Sequence, residues 1–396
     1  MTNTREDFFK HQAQTTPHSL AIEVVGAKGS YVFGKDGTAY LDFIAGVSAN
    51  SLGHGHPRVS KAIKDQVDTY THVMVYGEFI QEPQTKLCKL LANLLPDNLD
   101  TVYLVNSGTE ATEGALKLAK RITGRPEIVA GENAYHGNTQ GAMSVCGTEI
   151  QNGAFRPLIP GTKFIRFNNE EDLQKITVNT AAVILETIQG GAGFIASQNG
   201  YLEKVRKQCN AVGALLILDE IQSGIGRTGK LFGFEHYNCI PDILITGKGL
   251  GGGMPIGAFI SSYKNMEYLQ NYPKLGHITT FGGHPVIAAA ALATVQEITE
   301  TNLMAEALRK EQLFKDCLQH EAIKEIRGKG LMLALIMENE EVATSLVLKA
   351  MDSGLLLFFL LFEKRAVRIS PPLTISDEEI KKGCKLILRL IDEIIA

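Results

Sequence analysis

The chain has 396 residues, of which 44% are hydrophobic and 21% are charged. These fractions are near the averages of globular proteins, which excludes a largely disordered chain, and the length predicts roughly two to three domains. The 39 basic and 43 acidic residues give a formal net charge of -4 without any basic block, which argues against a nucleic-acid partner.

Membrane and secretion signals are absent from the sequence pattern. The longest apolar run, 354–362, is far shorter than the roughly 20 residues that cross a bilayer, and we predict a buried strand there. The first residues are polar and lack the apolar stretch of a signal peptide. The six cysteines form no Cys-x-x-Cys pair, as is usual in a reducing compartment. We therefore expect a soluble, cytoplasmic protein with no membrane partner and no metal site.

In chain order, the predicted elements begin with short β-rich runs. Between about 21 and 43 these runs turn at Gly29 and Gly37, as hairpins do. After Pro57 apolar residues recur with the helical period, and further on apolar runs alternate with helical stretches. We predict strands at 102–105, 183–185, 215–218, 243–245 and 256–260, and helices at 111–121, 201–212, 288–298 and 377–395.

The alternation of strands and helices predicts a mostly parallel sheet covered by helices, and therefore an α/β fold. We assign residues 51–290 to a large domain that contains this sheet. Residues 1–50 and 291–396 are predicted to combine into a smaller α+β domain.

Two residues suited to catalysis follow predicted strands. Asp219 ends one apolar run, and Lys248 comes directly after another, ahead of several glycines. Ligands of parallel sheets bind outside the carboxyl ends of the strands, so both side chains could reach one crevice. A lone lysine is usually a solvated surface group, but glycines around it let the backbone approach a ligand closely.

This pair fits the chemistry of pyridoxal phosphate (PLP). A partly desolvated amine near other cations has a lowered pKa and can form a Schiff base. A carboxylate opposite it can hold a pyridine nitrogen protonated, which makes the ring an electron sink. We therefore interpret Lys248 and Asp219 as parts of a PLP site.

A place for a phosphate is found at 104–111, where a strand, a glycine turn and a helix start follow one another. The free N–H groups of the helix start, with the hydroxyls of Ser107 and Thr109, would bind an anion. Ordinary helix capping by Ser107, with Glu110 in the first turn, explains the same residues, so both interpretations stay open.

Residues 247–252 also match the G-x-G-x-x-G pattern of dinucleotide sites. That pattern should open a helix, with an acidic residue about 20 positions later at the end of a second strand. Pro255 disfavours such a helix, and Glu267 lies in a polar stretch that looks helical. We therefore reject a nicotinamide site.

Taken together, these segments resemble the class III PLP-dependent aminotransferases, which include ornithine, acetylornithine and 4-aminobutyrate aminotransferases. The resemblance extends from YLD at 40–42 and GHGHP at 53–57 to RISPPL at 368–373. It is densest in DEIQ at 219–222, GRTG at 226–229 and the segment that leads to Lys248. It implies the fold type I of PLP-dependent transferases and a homodimer with shared active sites.

The resemblance also implies a role for each matching residue. Lys248 matches the lysine that forms the Schiff base and shuttles a proton, and Asp219 matches the partner of the pyridine nitrogen. Arg368 matches the arginine that binds a substrate carboxylate bidentately. The other matches are Gln222 at the ring hydroxyl, Ser107, Gly108 and Thr109 at the phosphate, Tyr135 stacked on the ring, Glu186 as a supporting acid, and Thr280, which reaches the phosphate of a neighbouring subunit.

Simpler interpretations stay open for several of these residues. Tyr135 and Phe281 could be ordinary core aromatics, and Thr280 could be a loop hydroxyl. Arg368 could belong to a structural ion pair.

The chain departs from the family at positions that bear on the substrate. Asn138 stands where an arginine is usual, and Gly191 where an acid is usual. Since that acid would hold Arg368 aside, we expect Arg368 to be permanently available to an α-amino or α-keto acid. Without a cation at Asn138, the distal end of the donor should be recognised without a strong positive charge. Gly46 is typical of the acetylornithine-like members, and His284 replaces a usual asparagine.

We therefore predict a PLP-dependent aminotransferase with a ping-pong mechanism. Its donor would be an amino acid or an ω-amine, acetylornithine- or ornithine-like, and its acceptor a keto acid, 2-oxoglutarate or pyruvate. The alternatives are an aminomutase or racemase of the same fold, or a PLP-binding homologue that has lost catalysis. The intact pair of Asp219 and Lys248 argues against the last, because a carrier needs neither a proton shuttle nor an electron sink.

Overall fold

The computed structural model describes residues 4–396. Its strands are β1 (Val24–Lys28), β2 (Tyr31–Gly34), β3 (Ala39–Asp42), β4 (Thr101–Val105), β5 (Glu127–Gly131), β6 (Thr162–Ile165), β7 (Thr180–Glu186), β8 (Ile188–Gln189), β9 (Ile195–Ala196), β10 (Leu215–Asp219), β11 (Ile243–Gly247), β12 (Gly257–Ser261), β13 (Ile323–Lys329), β14 (Met332–Met337), β15 (Leu355–Leu356), β16 (Phe358–Phe359) and β17 (Ala366–Ile369).

The helices alternate with these strands along the chain. They are α1 (Thr4–His11), α2 (Ala45–Ser48), α3 (Pro57–Thr69), α4 (Glu82–Leu94), α5 (Gly108–Thr123), α6 (Gln140–Ser144), α7 (Glu149–Asn152), α8 (Tyr201–Val212), α9 (Tyr263–Met266), α10 (Pro285–Glu300), α11 (Leu303–Cys317), α12 (Glu340–Asp352) and α13 (Asp377–Ile395).

The largest sheet has seven strands in the order β4-β12-β11-β10-β7-β5-β6. β10 pairs in parallel with β7 and β11, whereas β12 is antiparallel to β11 and β4. Along β10 the side chains alternate between two separate hydrophobic clusters, with Leu216 and Leu218 in one and Ile217 in the other. Both faces of the sheet are therefore covered, as is usual for parallel sheets.

The structure confirms the α/β class and the five strands predicted for this sheet. β5 and β6 were missed. β6 lies at the edge of the sheet, and only Ile165 in it is fully buried, so its apolar pattern is weak.

Two smaller sheets use the ends of the chain. β15 pairs in parallel with β3 and completes a sheet of order β1-β2-β3-β15, which joins the two ends. The other sheet has the order β13-β14-β17-β16. The domain boundaries after residue 50 and before residue 291 stay a prediction, and the first three residues of the predicted small domain lie outside the described residues.

The apolar run 354–362 does not form the single buried strand that we predicted. It is divided between β15 and β16, which belong to different sheets. Phe358 and Leu361 are 38% and 50% exposed and line the cavity described below. The prediction is wrong because an apolar run has the same pattern whether it packs in a core or borders a cavity.

A buried arginine connects the loop after β10 to the C-terminal part of the chain. The guanidinium of Arg227 donates hydrogen bonds to the carbonyl oxygens of Leu331 and Pro371. Burial lowers the pKa of Arg227 to about 9. Because Pro371 follows β17 closely, these bonds fix β17 relative to the large sheet.

Between residue 4 and residue 396, no helix combines enough length with enough apolar character to cross a membrane.

Candidate active site

A cavity of about 690 Å³ lies at the carboxyl ends of β7, β10 and β11. Most of the predicted site residues line it, namely Gly108, Thr109, Tyr135, Glu186, Asp219, Gln222, Lys248 and Arg368. Residues that were not predicted for the site line it as well, among them Val47, His136, Ile188, Phe358, Phe359 and Leu361. Ser107 and Thr280 lie outside its lining.

The carboxylate of Asp219 is held at the end of β10 by two polar contacts. Its Oδ1 accepts the N–H of Ile221 at 2.9 Å, and its Oδ2 lies 2.7 Å from Nδ1 of His136. The side chains of Asp219 and His136 are 4% and 0% exposed. Such partners offset the free-energy cost of removing a carboxylate from water. His136 was not among the predicted residues, and its only sequence signal was its place directly after Tyr135.

Glu220, the next residue of the motif, does not line the cavity. It accepts hydrogen bonds from the hydroxyls of Thr187 and Ser223 and from the N–H groups of Gly233 and Phe234. Burial raises its pKa to about 7, and the four donors oppose that shift. Of the two adjacent acids, Asp219 therefore lines the cavity, whereas Glu220 stabilises the surrounding loops.

Glu186 occupies the same position at the end of β7 that Asp219 has in β10. Its oxygens accept the N–H groups of Tyr135 at 3.0 Å and Gly190 at 2.8 Å. Burial, together with the charge of Asp219, raises the pKa of Glu186 to about 7. The bond to Tyr135 fixes the backbone that carries the tyrosine ring, which is 39% exposed and therefore not a core aromatic.

Lys248 follows β11 and begins a single 3-10 turn, Lys248–Gly251. The strand β12 comes soon after, so this glycine run does not open the helix that a dinucleotide site requires. Lys248 has φ of 40°, a left-handed conformation that costs a side-chain-bearing residue of order 1 kcal/mol or more. Burial and the nearby charge of Arg368 lower the pKa of its amine, and Asp219 and Glu186 oppose the shift.

The segment before α5 has the form of an anion site. Ser107 caps the helix by accepting the N–H of Glu110 at 3.4 Å, and Glu110 in turn accepts the N–H of Asn106 at 2.6 Å. By position, the N–H groups of Gly108 and Thr109 have no partner within the helix. Capping and anion binding are thus compatible, since the cap uses other N–H groups than those facing the cavity.

Glycines let this segment pack closely on its neighbours. A Cβ on Gly108 would lie 2.7 Å from Cδ1 of Ile221, and one on Gly137 would overlap Thr109. The hydroxyl of Thr109 lies 2.9 Å from that of Thr139. Backbone atoms and small side chains therefore pack directly against the start of α5.

One wall of the cavity is a strained turn. All four residues of α2, Ala45, Gly46, Val47 and Ser48, have left-handed φ values between 48° and 67°. Three of them bear a Cβ, and each such residue costs about 1–2 kcal/mol. Nε2 of Gln222 donates to the hydroxyl of Ser48 at 3.4 Å, which ties this turn to the end of β10.

Arg368 reaches the cavity from β17, where it is paired with Ala334 on one side and Phe358 on the other. Its guanidinium lies 5.5 Å from the centre of the Phe194 ring. Nε and Nη1 are buried without a hydrogen-bond partner in residues 4–396, and none of the ion pairs of these residues includes Arg368. Burial lowers its pKa to about 10, so it stays charged at neutral pH. The structural ion pair left open by the sequence does not form.

Thr280 lies apart from the cavity of its own chain. It is exposed, in a surface segment where Ile278 and Phe281 are 51% and 53% exposed. The Phe281 ring is therefore not a core aromatic either, and it contacts His72, with ring centres 4.7 Å apart. Within one chain, Thr280 stays an exposed loop hydroxyl.

The departures from the family pattern are also visible. Asn138 lines the cavity, as predicted for a position near the substrate. Gly191 lines it too, and a Cβ there would lie only 2.6 Å from Cε2 of Phe362. The N–H of Phe362 donates to the carbonyl of Gly191 at 2.9 Å. The aromatic ring thus occupies the space in which a side chain at position 191 would begin.

A mostly parallel sheet covered on both faces, with a buried lysine and a carboxylate at its carboxyl edge, is the arrangement of PLP-dependent enzymes of fold type I. The chain matches the family Aminotransferase class-III over residues 12–391, and it belongs to that family. It is 37% identical to the acetylornithine aminotransferase of Caldanaerobacter subterraneus over 97% of this chain and 98% of the relative.

Solved structures give the same result. The ornithine aminotransferase of Toxoplasma gondii, with partial occupancy of PLP at its active site, has a TM-score of 0.89 and 32% identity, with 99% and 96% of the two chains covered. A transaminase from the marine bacterium Virgibacillus has a TM-score of 0.92 and 25% identity, with 99% of both chains covered. The protein is therefore a class III transaminase that uses PLP.

The residues of the cavity fit this cofactor. The unpartnered N–H groups at the start of α5 suit a phosphate, and the buried carboxylate of Asp219 suits a protonated ring nitrogen. Nε2 of His136 is buried without a partner, so a proton on Nδ1 facing Asp219 conflicts with no other contact. Lys248, with its lowered pKa, suits covalent attachment to an aldehyde.

Proposed function

We propose that this enzyme moves an amino group from an amino acid or an ω-amine that carries a carboxylate, acetylornithine- or ornithine-like, to a keto acid such as 2-oxoglutarate or pyruvate. Donor and acceptor use the same site in turn, which is a ping-pong mechanism. One observation carries the proposal: the amine of Lys248, the carboxylate of Asp219 and the unpartnered guanidinium of Arg368 line a single cavity.

PLP, when bound, supplies a ring that accepts the electrons released at the reacting carbon. Asp219 would keep a proton on the ring nitrogen, and Nδ1 of His136, at 2.7 Å, holds the carboxylate in place. Gln222 would hold the ring hydroxyl and Tyr135 would pack on the ring, since both side chains line the cavity. The N–H groups of Gly108 and Thr109 would bind the phosphate at the start of α5, and Ser107, which lies outside the lining, would support them as the helix cap.

Lys248 is the proton carrier of the reaction. Its Nζ takes a proton from one carbon and returns it to another, for which it has to be neutral during part of the cycle. Burial favours the neutral amine by lowering its pKa, and the Arg368 cation adds to the effect. The charge of Glu186, whose pKa is raised to about 7, varies near neutral pH and modulates this balance.

Arg368 binds the carboxylate of donor and acceptor. A guanidinium with two free N–H groups on one edge forms two parallel hydrogen bonds with a carboxylate. Nε and Nη1 are both buried and unpartnered, and they lie on different edges of the guanidinium, each shared with Nη2. A substrate carboxylate on either edge would supply one of the missing acceptors and would also contact Nη2. The substrate is then oriented relative to Lys248.

The visible spectrum of the purified protein tests the reaction. An absorbance band of the bound cofactor that an amine donor bleaches and a keto acid restores would establish transamination. If donors are isomerised without any keto acid, as chiral chromatography would reveal, the protein is an aminomutase or racemase. A colourless protein that does not take up PLP would refute the proposal.

We propose further that the active unit is a homodimer in which Thr280 contacts the phosphate of the partner's cofactor. Supporting it, Ile278 and Phe281 on either side of Thr280 are 51% and 53% exposed. Phe79, which is 55% exposed, lines one cavity together with Gly282 and Gly283 just after this segment. Sedimentation should give twice the 43.1 kDa of one chain. Thr280→Val should weaken PLP binding in the dimer, and a monomeric active enzyme would contradict the idea.

A cytoplasmic location is also proposed. All six cysteines are free, and four of them are buried, which suits a reducing compartment. Cell fractionation with a tagged chain would test the location.

A further inference from the structure

The wall of the cavity beside Arg368 is apolar. Phe358 is the direct neighbour of Arg368 across the antiparallel β16–β17 pair, so both side chains stand on the same face of the sheet. Phe359 and Leu361 continue this wall, and Ile188 adds to it. Phe358 and Leu361 keep 38% and 50% of their surface exposed, so they are free to contact a ligand.

The wall is also without a second free charge. Among the residues that the structure describes, the basic side chains that line the cavity are Lys248, Arg368 and His136. The imidazole of His136 is hydrogen-bonded to Asp219, and the amine of Lys248 is required for proton transfer. Neither is therefore available to bind a substrate carboxylate. Apart from the acids Glu186 and Asp219, the other polar side chains of the lining are uncharged: Thr15, Thr109, Tyr135, Asn138, Gln151, Gln222 and Ser223. The side chains that one chain contributes to the cavity can therefore neutralise one substrate carboxylate.

Among the described residues, the cavity also offers no free acid to an ammonium group at the far end of a substrate. The acids that line the cavity in residues 4–396 are Glu186 and Asp219. Both already accept hydrogen bonds, from Tyr135 and Gly190 in one case and from Ile221 in the other. A charged group on the far end of a substrate would lose water against this wall without gaining a partner.

We infer that the preferred donor and acceptor are monocarboxylates whose remaining part is apolar: Arg368 binds the carboxylate, and Phe358, Phe359 and Leu361 contact the hydrocarbon. This inference rests on the proposed transamination and specifies its substrates. Among keto acids it favours an aliphatic 2-oxo acid over 2-oxoglutarate, and among donors an aliphatic amino acid over ornithine or glutamate.

Binding without chemistry is the first test. Hexanoate and glutarate have similar lengths but carry one and two carboxylates, and neither can react. Calorimetric titration of the PLP-loaded enzyme should give hexanoate an affinity at least about tenfold higher, which corresponds to ~1.4 kcal/mol. Equal affinities, or tighter binding of glutarate, would overturn the inference.

The half-reactions separate this inference from the proposed function. Norleucine should bleach the cofactor band with a higher second-order rate constant than glutamate or ornithine. In the second half-reaction, 2-oxohexanoate should restore the band faster than 2-oxoglutarate. If glutamate and 2-oxoglutarate are faster, transamination stands and the substrate class is wrong. If no donor of any kind transfers its amine, the proposed function itself fails.

Two matched variants place the effect in the wall. Leu361→Arg puts a cation into a half-exposed position of the wall, and it should raise glutarate affinity relative to hexanoate by about tenfold. Val178→Arg adds the same charge at a side chain that is 68% exposed and does not line the cavity, and it should leave the ratio unchanged. A ratio that Leu361→Arg does not move would contradict a role for this wall in substrate choice.

Discussion

The two walls of the cavity are built differently. On the wall formed by the ends of β7 and β10, every charged group has partners: Asp219 with His136 and Ile221, and Glu186 with two N–H groups. On the opposite wall Arg368 has none and is surrounded by apolar side chains. We call the first the satisfied wall, because its charged groups already have hydrogen-bond partners, and the second the unsatisfied wall. The satisfied wall can hold a permanent cofactor in one orientation. The free cation of the unsatisfied wall suits a substrate that binds and dissociates in each cycle.

Because of this difference, substitutions in the two walls should have different effects. Changes on the satisfied wall should affect cofactor binding and proton transfer for all substrates alike. Changes on the unsatisfied wall should alter the choice among substrates and leave the cofactor bound.

Lys248→Ala should have the largest effect. Without the amine at Nζ, the proton has no carrier, and turnover should fall by at least about 10⁴-fold with every donor. PLP should still bind weakly through the remaining contacts. Steady-state assays and a PLP titration would measure both, and a variant with full turnover would refute the assignment of Lys248.

Arg368→Gln should reduce the rate constant kcat/KM for donors with a carboxylate by about 100-fold or more, because a buried charge pair is lost. Hexylamine, which has no carboxylate, should be affected little. Arg368→Lys is the control that keeps the charge but loses the two-pronged geometry, and it should recover part of the activity. Equal losses for both donor types would mean that Arg368 acts on the framework instead of the substrate.

Much of the satisfied wall was predictable from the sequence, because its residues directly follow strands and a glycine turn. Asp219, Lys248 and Gly108 could be placed at one sheet edge on that ground. His136 and Phe362 could not be placed in this way. His136 contacts Asp219, which is 83 positions away in the sequence, and Phe362 contacts Gly191, which is 171 positions away. The wrong prediction for 354–362 has the same origin, because burial of an apolar run is decided by what packs on it.

His136→Phe should weaken the satisfied wall without removing it. Loss of a hydrogen bond to a charged group costs about 1.5–3 kcal/mol, so the dissociation constant of PLP should rise about 10- to 100-fold. The ranking of donors should not change. In His136→Asn the side-chain amide can replace Nδ1 as a donor, and restored PLP affinity there would assign His136 a positioning role. An unchanged affinity in His136→Phe would contradict it.

Gly191→Glu addresses whether an acid can hold Arg368 aside. By itself the substitution should destabilise the fold by about 1–3 kcal/mol, because its Cβ would lie 2.6 Å from the ring of Phe362. The double variant with Phe362→Ala makes room for the side chain, and there carboxylate donors should bind more weakly than in Phe362→Ala alone. A folded double variant with unchanged kinetics in both half-reactions would refute this gating.

Glu186→Gln should change the pH dependence of stability. In the folded protein the pKa of this carboxyl is raised from 4.5 to about 7, because it is buried. The folded state therefore keeps a proton that the unfolded state has released. The stability that this proton gives is fully present below pH 4.5 and is lost as the pH rises to about 7.

Glutamine cannot titrate, so urea unfolding of the apoprotein should depend less on pH across this interval, by roughly 1–3 kcal/mol. Glu321→Gln, at an exposed position, is the matched control and should keep the dependence of the original chain. If Glu186→Gln shows the same slope as this control, Glu186 is already charged when folded. The N–H groups of Tyr135 and Gly190 would then be enough to hold the buried carboxylate of Glu186 charged, and burial at the end of β7 would not by itself keep a proton on it.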